Sequence, residues 1–218
     1  GYRIINWDVE AKTALSNIEV EHKEVEGNLY TFKYKVVETG EDLLVATTRP
    51  ETMFGDVCLV VHPDDARYSH VVGKHAINPA TGDVIPIITD DYIDIEFGTG
   101  VMKCTPAHDP NDFMLGEKYG LEMPIIMNPN GTMNELTGKY NGMDRFEARK
   151  ALVSDIEAAG NCASIEKHVH QVGHSERTNA IIEPYLSKQW FVKMEPLARE
   201  VLKHQETRSI EFYPERFS

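Results

Sequence analysis

The chain has 218 residues, 41% apolar and 26% charged, with a formal net charge of −13. That is enough for one good core with attached connectors, and the acidic balance excludes a stand-alone nucleic-acid binder, which needs a basic face to neutralise phosphates. Cys58, Cys104 and Cys162 lie far apart with no CxxC pair, which argues against a disulfide framework or structural zinc and fits a reducing cytoplasm, and no apolar run approaches the roughly 18–20 residues that span a bilayer.

The start, Gly1-Tyr2-Arg3-Ile4-Ile5-Asn6-Trp7-Asp8, has no initiator methionine and no signal-peptide layout, and reads as a cut inside a longer protein. Residues 1–25 are polar and irregular and read as a connector. Residues 29–37 alternate aromatic, β-branched and polar side chains and predict a strand, followed by a turn and a second strand over 43–47. The apolar run 57–61 predicts a strand buried on both faces. A short helix suits 63–68, with Pro63 at a tolerated first-turn position. Further strands are expected at 84–88, 93–97, 101–105, 123–127 and 164–171. Asp109 as N-cap with Pro110 after it predicts a helix to about Tyr119. Asp144 and Glu147 form the start of another, which stops at Gly160 and gathers Phe146, Val153 and Ile156 on one face. Beyond Gly173 the chain turns to Pro, Trp and charge, as a second connector would. Short strands without a βαβ rhythm favour a barrel. The expected fold is mainly β: a closed β-barrel of about six strands with peripheral α-helices over residues 26–172, flanked by connectors 1–25 and 173–218.

Two dense runs hold the candidate chemistry. The first is Ala46-Thr47-Thr48-Arg49-Pro50-Glu51-Thr52-Met53-Phe54-Gly55; the second is Gly98-Thr99-Gly100-Val101-Met102-Lys103-Cys104-Thr105-Pro106-Ala107-His108-Asp109-Pro110-Asn111-Asp112-Phe113. Three hydroxyls around an Arg-Pro corner can hold a water or read a substrate hydroxyl, while Arg49 can hold a carbonyl or phosphate oxygen. Strand alternation puts Lys103 and Thr105 on one face; the plain alternative is the solvent face of an edge strand. Asp109 has a capping role open to it. Asp112, one turn in, lies in the positive end of the helix dipole, which favours an ionised carboxylate able to take an ammonium group. His108-Asp109-x-x-Asp112 imitates a metal spacing, but other ligands at recognisable spacing are lacking and no metal is expected. Walker loops, GxGxxG and a Ser-His-Asp order are all missing.

The Thr47–Thr52 and Thr105–Phe113 runs resemble the editing domain inserted in the class I aminoacyl-tRNA synthetases for leucine, isoleucine and valine. The flanks Asn6-Trp7-Asp8, Gly173-His174-Ser175-Glu176-Arg177-Thr178 and Glu183-Pro184-Tyr185-Leu186-Ser187-Lys188-Gln189-Trp190-Phe191 are similar to those of the valyl branch. Asn179, in the exit segment, stands where Gly is more usual. The signatures of amino-acid activation are missing, so amino-acid activation is not expected of these residues.

The resemblance implies hydrolysis of threonyl-tRNA(Val), with no cofactor. The partners would be the threonine-bearing 3′ end of tRNA(Val) and the remainder of the synthetase polypeptide, in the cytoplasm and away from membranes. Matched position by position, Asp112 would take the α-ammonium, and Asp109 with Thr52 or Arg49 would read the side-chain hydroxyl. Lys103, Thr105 and Thr47 would border the ester and its water. Phe97 and Met102 would pack on the terminal adenosine, and Thr48 and His108 complete the binding set. Two other readings stay open: a docking module without catalysis, and an editing domain of isoleucyl or leucyl type.

Overall fold

The computed structural model describes residues 1–96, 98–207, 209, 212–214 and 216. In chain order its strands are β1 (Tyr2–Asp8), β2 (Thr13–Leu15), β3 (Val20–Val36), β4 (Asp42–Thr47), β5 (Cys58–Val61), β6 (His75–Ile77), β7 (Val84–Thr89), β8 (Val101–Cys104), β9 (Cys162–Ser175) and β10 (Glu183–Lys188). The α-helices are α1 (Pro110–Tyr119), α2 (Arg145–Ala158) and α3 (Met194–Glu206), and 3₁₀ helices include Pro50–Gly55 and Glu135–Tyr140. Two compact units result: Ile4–Ser187, and Gly1–Arg3 with Lys188–Ser218. In the smaller one Gly1 and Gln189 exchange backbone hydrogen bonds, and α3 leaves Leu197, Val201 and Leu202 exposed.

The larger unit is built on one mixed sheet of order β4-β3-β6-β7-β5-β8, with β9 also paired to β3. β3 runs 17 residues because it serves three partners in turn: β9 along its first part, β4 from Tyr30 to Lys35, and β6 at its end. Phe32, Tyr34 and Val36 alternate inward and meet Leu43 and Val45 of β4. All four residues of β5, which lies between parallel β7 and antiparallel β8, are buried, as the unbroken apolar run predicts, because Leu59 and Val61 join the main core and Cys58 and Val60 a second cluster with Ile93 and Leu115. Cys58 and Cys104 become register partners there and stay free thiols.

The expected closed barrel is instead an open, curled half-barrel of six strands. Among the described residues β4 pairs only with β3, and β8 only with β5. Both free strands stop at proline corners: β4 runs into Arg49-Pro50, which starts a 3₁₀ helix, and β8 into Thr105-Pro106. Proline has no N–H to give a ladder, so neither strand extends through its corner.

Local signals placed both core helices. Asp109 Oδ accepts from the N–H groups of Asn111 and Asp112 (2.8 and 3.1 Å), and Gly120 at φ +64 ends α1. Asp144 caps α2, which buries Ala148, Leu152, Val153 and Ile156 against the sheet. Other expectations shift. Residues 1–25 contain β1, β2 and the start of β3. Residues 63–68 form turns, and the described part of 93–97 is also turn, with Phe97 outside the described residues. The 123–127 segment makes only one bridge, Met127 to Met133. Asn179 sits at φ +63, the conformation that favours Gly.

Leu152 is 1% exposed on the inner face of α2. Leu152→Ala is expected to cost about 2–5 kcal/mol, read as a lower urea midpoint with an unchanged slope.

Candidate active site

The site lies at the open seam, in a cleft of about 170 Å³ lined by Arg49, Thr52, Met102, Lys103, Thr105, His108, Asp109 and Asp112, with Tyr92 and Asn111. The first eight are candidates from the sequence; Tyr92 and Asn111 are not. Thr48 instead lines a larger groove beside this cleft, which shares Arg49 and Asp109. Thr47 is not among the cleft residues: its hydroxyl accepts from the Arg49 N–H (3.0 Å) and shapes the corner.

Lys103 bridges the seam. Its ammonium donates to Thr52 Oγ1 (2.8 Å), Asp56 Oδ1 (3.0 Å) and Thr105 Oγ1 (2.6 Å), which occupies all three of its N–H groups. Its side chain is only 11% exposed, so this is no solvent face. Thr105 in turn donates to Asp56 Oδ1 (2.6 Å), and Tyr34 donates to Asp56 Oδ2 (2.7 Å). Burial pushes the Asp56 carboxyl above its ordinary value, outweighing the Lys103 charge and the hydrogen bonds. Asp56 was not foreseen, because nothing in Phe-Gly-Asp-Val signals a partner 47 residues away.

Arg49 is held by a chain of alternating charges. Its guanidinium pairs with Glu183, reaches Glu51 (3.4 Å) and donates to the His108 carbonyl (3.0 Å). Glu51 takes a bidentate pair from Arg149 (2.6 and 2.7 Å), and Glu183 a bond from Arg145 (2.7 Å). Burial alone would raise the Glu51 carboxyl; the hydrogen bonds and charge of Arg149, with Arg49 behind them, hold it below its ordinary value. His108 is fully buried, and its Nε2 accepts from the Ile126 N–H (3.0 Å). Burial and the charges of Arg49 and Lys103 depress it to about 3, so its ring is neutral and structural in this arrangement.

What remains uncommitted faces the cleft. Asp112 Oδ2 accepts from the Thr105 N–H (2.6 Å), while Oδ1 has no hydrogen-bond partner among the described residues. Asp109 spends only Oδ1 on the helix, and the Tyr92 hydroxyl and Asn111 amide make no hydrogen bond among the described residues. The helix dipole does not keep Asp112 fully ionised, as the sequence suggests. Burial and the neighbouring Asp109 push it up to about 7. The cleft thus presents two paired carboxylates at its mouth, ready for a cation, and acceptor oxygens on Thr52 and Thr105 within.

A family model described as tRNA synthetases class I (I, L, M and V) matches residues 1–218. The chain belongs to that family. Valine–tRNA ligases of Staphylococcus carnosus and Enterococcus faecalis are each 56% identical to it, and that of Mesoplasma florum 57%. Each alignment covers 100% of this chain and 25% of the relative, so the chain spans about a quarter of the length of these ligases. Among solved structures, a leucyl synthetase of Agrobacterium radiobacter in a ternary complex with tRNA aligns at TM-score 0.49 and 17% identity, over 68% of this chain and 20% of that one.

Two substitutions test this electrostatic arrangement. Lys103→Met leaves Asp56 buried without its cation and is expected to cost about 3–5 kcal/mol; adding Asp56→Asn recovers part of that loss in urea unfolding. Asp112→Asn removes a carboxylate whose proton the fold holds more tightly than the unfolded chain does. The wild type should lose stability as pH rises from about 4, the unfolded carboxylate range, to about 7. The variant's gain should therefore be absent below pH ~4 and complete above pH ~7. It should amount to at most about 4 kcal/mol, or about 2–4 °C in Tm per kcal/mol.

Proposed function

We propose that this chain is the editing domain of a valyl-tRNA synthetase, a deacylase that hydrolyses threonyl-tRNA(Val) to threonine and free tRNA. One observation carries the reading: a small cleft that sets the free oxygens of Asp112 and Asp109 beside the Lys103, Thr52 and Thr105 cluster. The valine–tRNA ligase relatives supply the context in which such a cleft is needed. A hydrophobic valine pocket rejects an isostere with one extra hydroxyl by only about a hundredfold, the figure known for valyl enzymes themselves. A polar second pocket reverses the preference.

Asp112 Oδ1 takes the α-ammonium, whose charge favours the ionised acid. Thr52 Oγ1 donates to the Arg49 carbonyl and accepts from Lys103, while Thr105 Oγ1 donates to Asp56 and accepts from Lys103. Each keeps one lone pair, so the interior offers acceptors for the threonine hydroxyl, with Asp109 Oδ2 as a third. The threonine hydroxyl has one hydrogen and pairs with one of them; valine would leave that acceptor unpaired, at about 1–3 kcal/mol. Lys103 has all three N–H groups committed, and the buried, neutral His108 ring accepts at Nε2 and so carries its proton on Nδ1, so neither is the general base. The nucleophile in this reading is a water held in the cleft, assisted by the ribose hydroxyl of the substrate, and the Lys103 charge stabilises the developing oxyanion. Arg49 and Thr47 act as positioning groups. The terminal adenosine rests against Met102 at the mouth, and the remainder of the polypeptide holds the tRNA body in the cytoplasm, which accommodates the acidic charge of this chain.

The test is deacylation of threonyl-tRNA(Val) and valyl-tRNA(Val) by the full polypeptide and its Asp112→Ala variant. Clearance of the threonyl ester alone, reduced at least a hundredfold by the substitution, is the expected result. Equal cleavage of both esters, or full activity in the variant, would overturn the proposal; tRNA binding without cleavage would mark a docking module.

A further inference from the structure

The cleft is small because of two walls of different character. Sites for small molecules usually enclose about 300–1,000 Å³, whereas this one has about 170 Å³. On one side Arg49 separates it from a groove of about 580 Å³. That wall is fixed: Glu51, Glu183 and the His108 carbonyl all hold the guanidinium. On the other side lies a depression of about 360 Å³, lined among others by Asp90, Met114 and Lys118. Tyr92 and Asn111 line both this depression and the cleft, so they form the partition.

Asn111 is tied down through its backbone at the start of α1, where its N–H bonds to Asp109. Tyr92 has the bulk. The residue is 48% exposed, its hydroxyl makes no hydrogen bond among the described residues, and its backbone is fixed by Asp90 Oδ1 accepting from the Tyr92 N–H (2.8 Å). Asp90 is in turn anchored by Lys118 (2.7 Å) and Tyr119 (2.7 Å). The loop therefore fixes the Tyr92 backbone between the two spaces without using the side chain for the fold.

We infer that Tyr92 is the size-limiting wall of the acyl pocket, a specificity-determining residue that keeps acyl groups longer than threonine from extending into the neighbouring depression. The inference rests on the deacylase reading. Removing the ring joins spaces of about 170 and 360 Å³, ample for an isoleucyl or phenylalanyl side chain that the closed cleft refuses. A methylene more or less in such a pocket changes rates about 10–200-fold. The ammonium seat on Asp112 and the Lys103 cluster stay as they are.

The experiment compares hydrolysis of threonyl, isoleucyl and phenylalanyl esters of one tRNA by the full polypeptide, wild type, Tyr92→Ala and Tyr92→Phe. The isoleucyl-to-threonyl ratio of kcat/KM should rise at least tenfold in Tyr92→Ala, chiefly through KM, and stay within about twofold in Tyr92→Phe. Competition by non-hydrolysable isoleucyl- and threonyl-adenosine amides gives the same ratio as Kd values, independent of turnover. An unchanged ratio in Tyr92→Ala, or an equal rise in Tyr92→Phe, would overturn the size-wall inference. A wild type that leaves the threonyl ester intact would instead sink the deacylase reading beneath it.

Discussion

The Lys103 ammonium is the interaction on which the rest depends. It reaches from β8, at one margin of the half-barrel, to Thr52 in the 3₁₀ helix that follows β4, at the other. A closed ladder would have filled this seam with backbone hydrogen bonds and left no cleft. Proline corners end both margin strands, and a buried lysine with three matched acceptors spans the gap. A buried cation is tolerable only when paired and hydrogen-bonded, and Asp56, Thr52 and Thr105 meet that condition. The cost of charge in the core is thereby converted into a fixed, electropositive floor for the site.

Around that floor the alternating run Arg149, Glu51, Arg49, Glu183, Arg145 ties α2 and β10 to the corner after β4. It fixes Arg49 as a wall of the cleft and leaves spare capacity on one oxygen each of Asp112 and Asp109 and one lone pair each of Thr52 and Thr105, the groups proposed to face the ligand. Asp112 is the counterpart of this order. The fold buries it against Asp109, raised to about 7, an unfavourable placement that a bound ammonium would relieve. Local instability at a site, offset by strong packing elsewhere, is the usual signature of function.

Much of the site was legible because its parts are contiguous. Strand alternation put Lys103 and Thr105 on one face, the Asp109-Pro110 pair announced the helix start, and eight candidates meet in one cleft. Long-range partners were not legible. No local period joins Asp56 to Lys103, Glu51 to Arg149, or Glu183 to Arg49 and Arg145, since these pairings exist only once the sheet has curled. The open seam was missed for the same reason: strand count suggests a barrel, but closure depends on whether the two end strands find each other. The polar first 25 residues concealed β1, β2 and the start of β3, whose alternation is too short or too exposed to stand out.

The most direct test of this preorganised pocket is a crystal structure with a non-hydrolysable threonyl-adenosine amide bound. The account predicts the α-ammonium about 2.7–3.2 Å from Asp112 Oδ1, with Lys103 still on Thr52, Asp56 and Thr105 and Arg49 still clamped by Glu51 and Glu183. An amino group seated elsewhere, or an Arg49 that leaves its glutamates to hold the ligand, would contradict it.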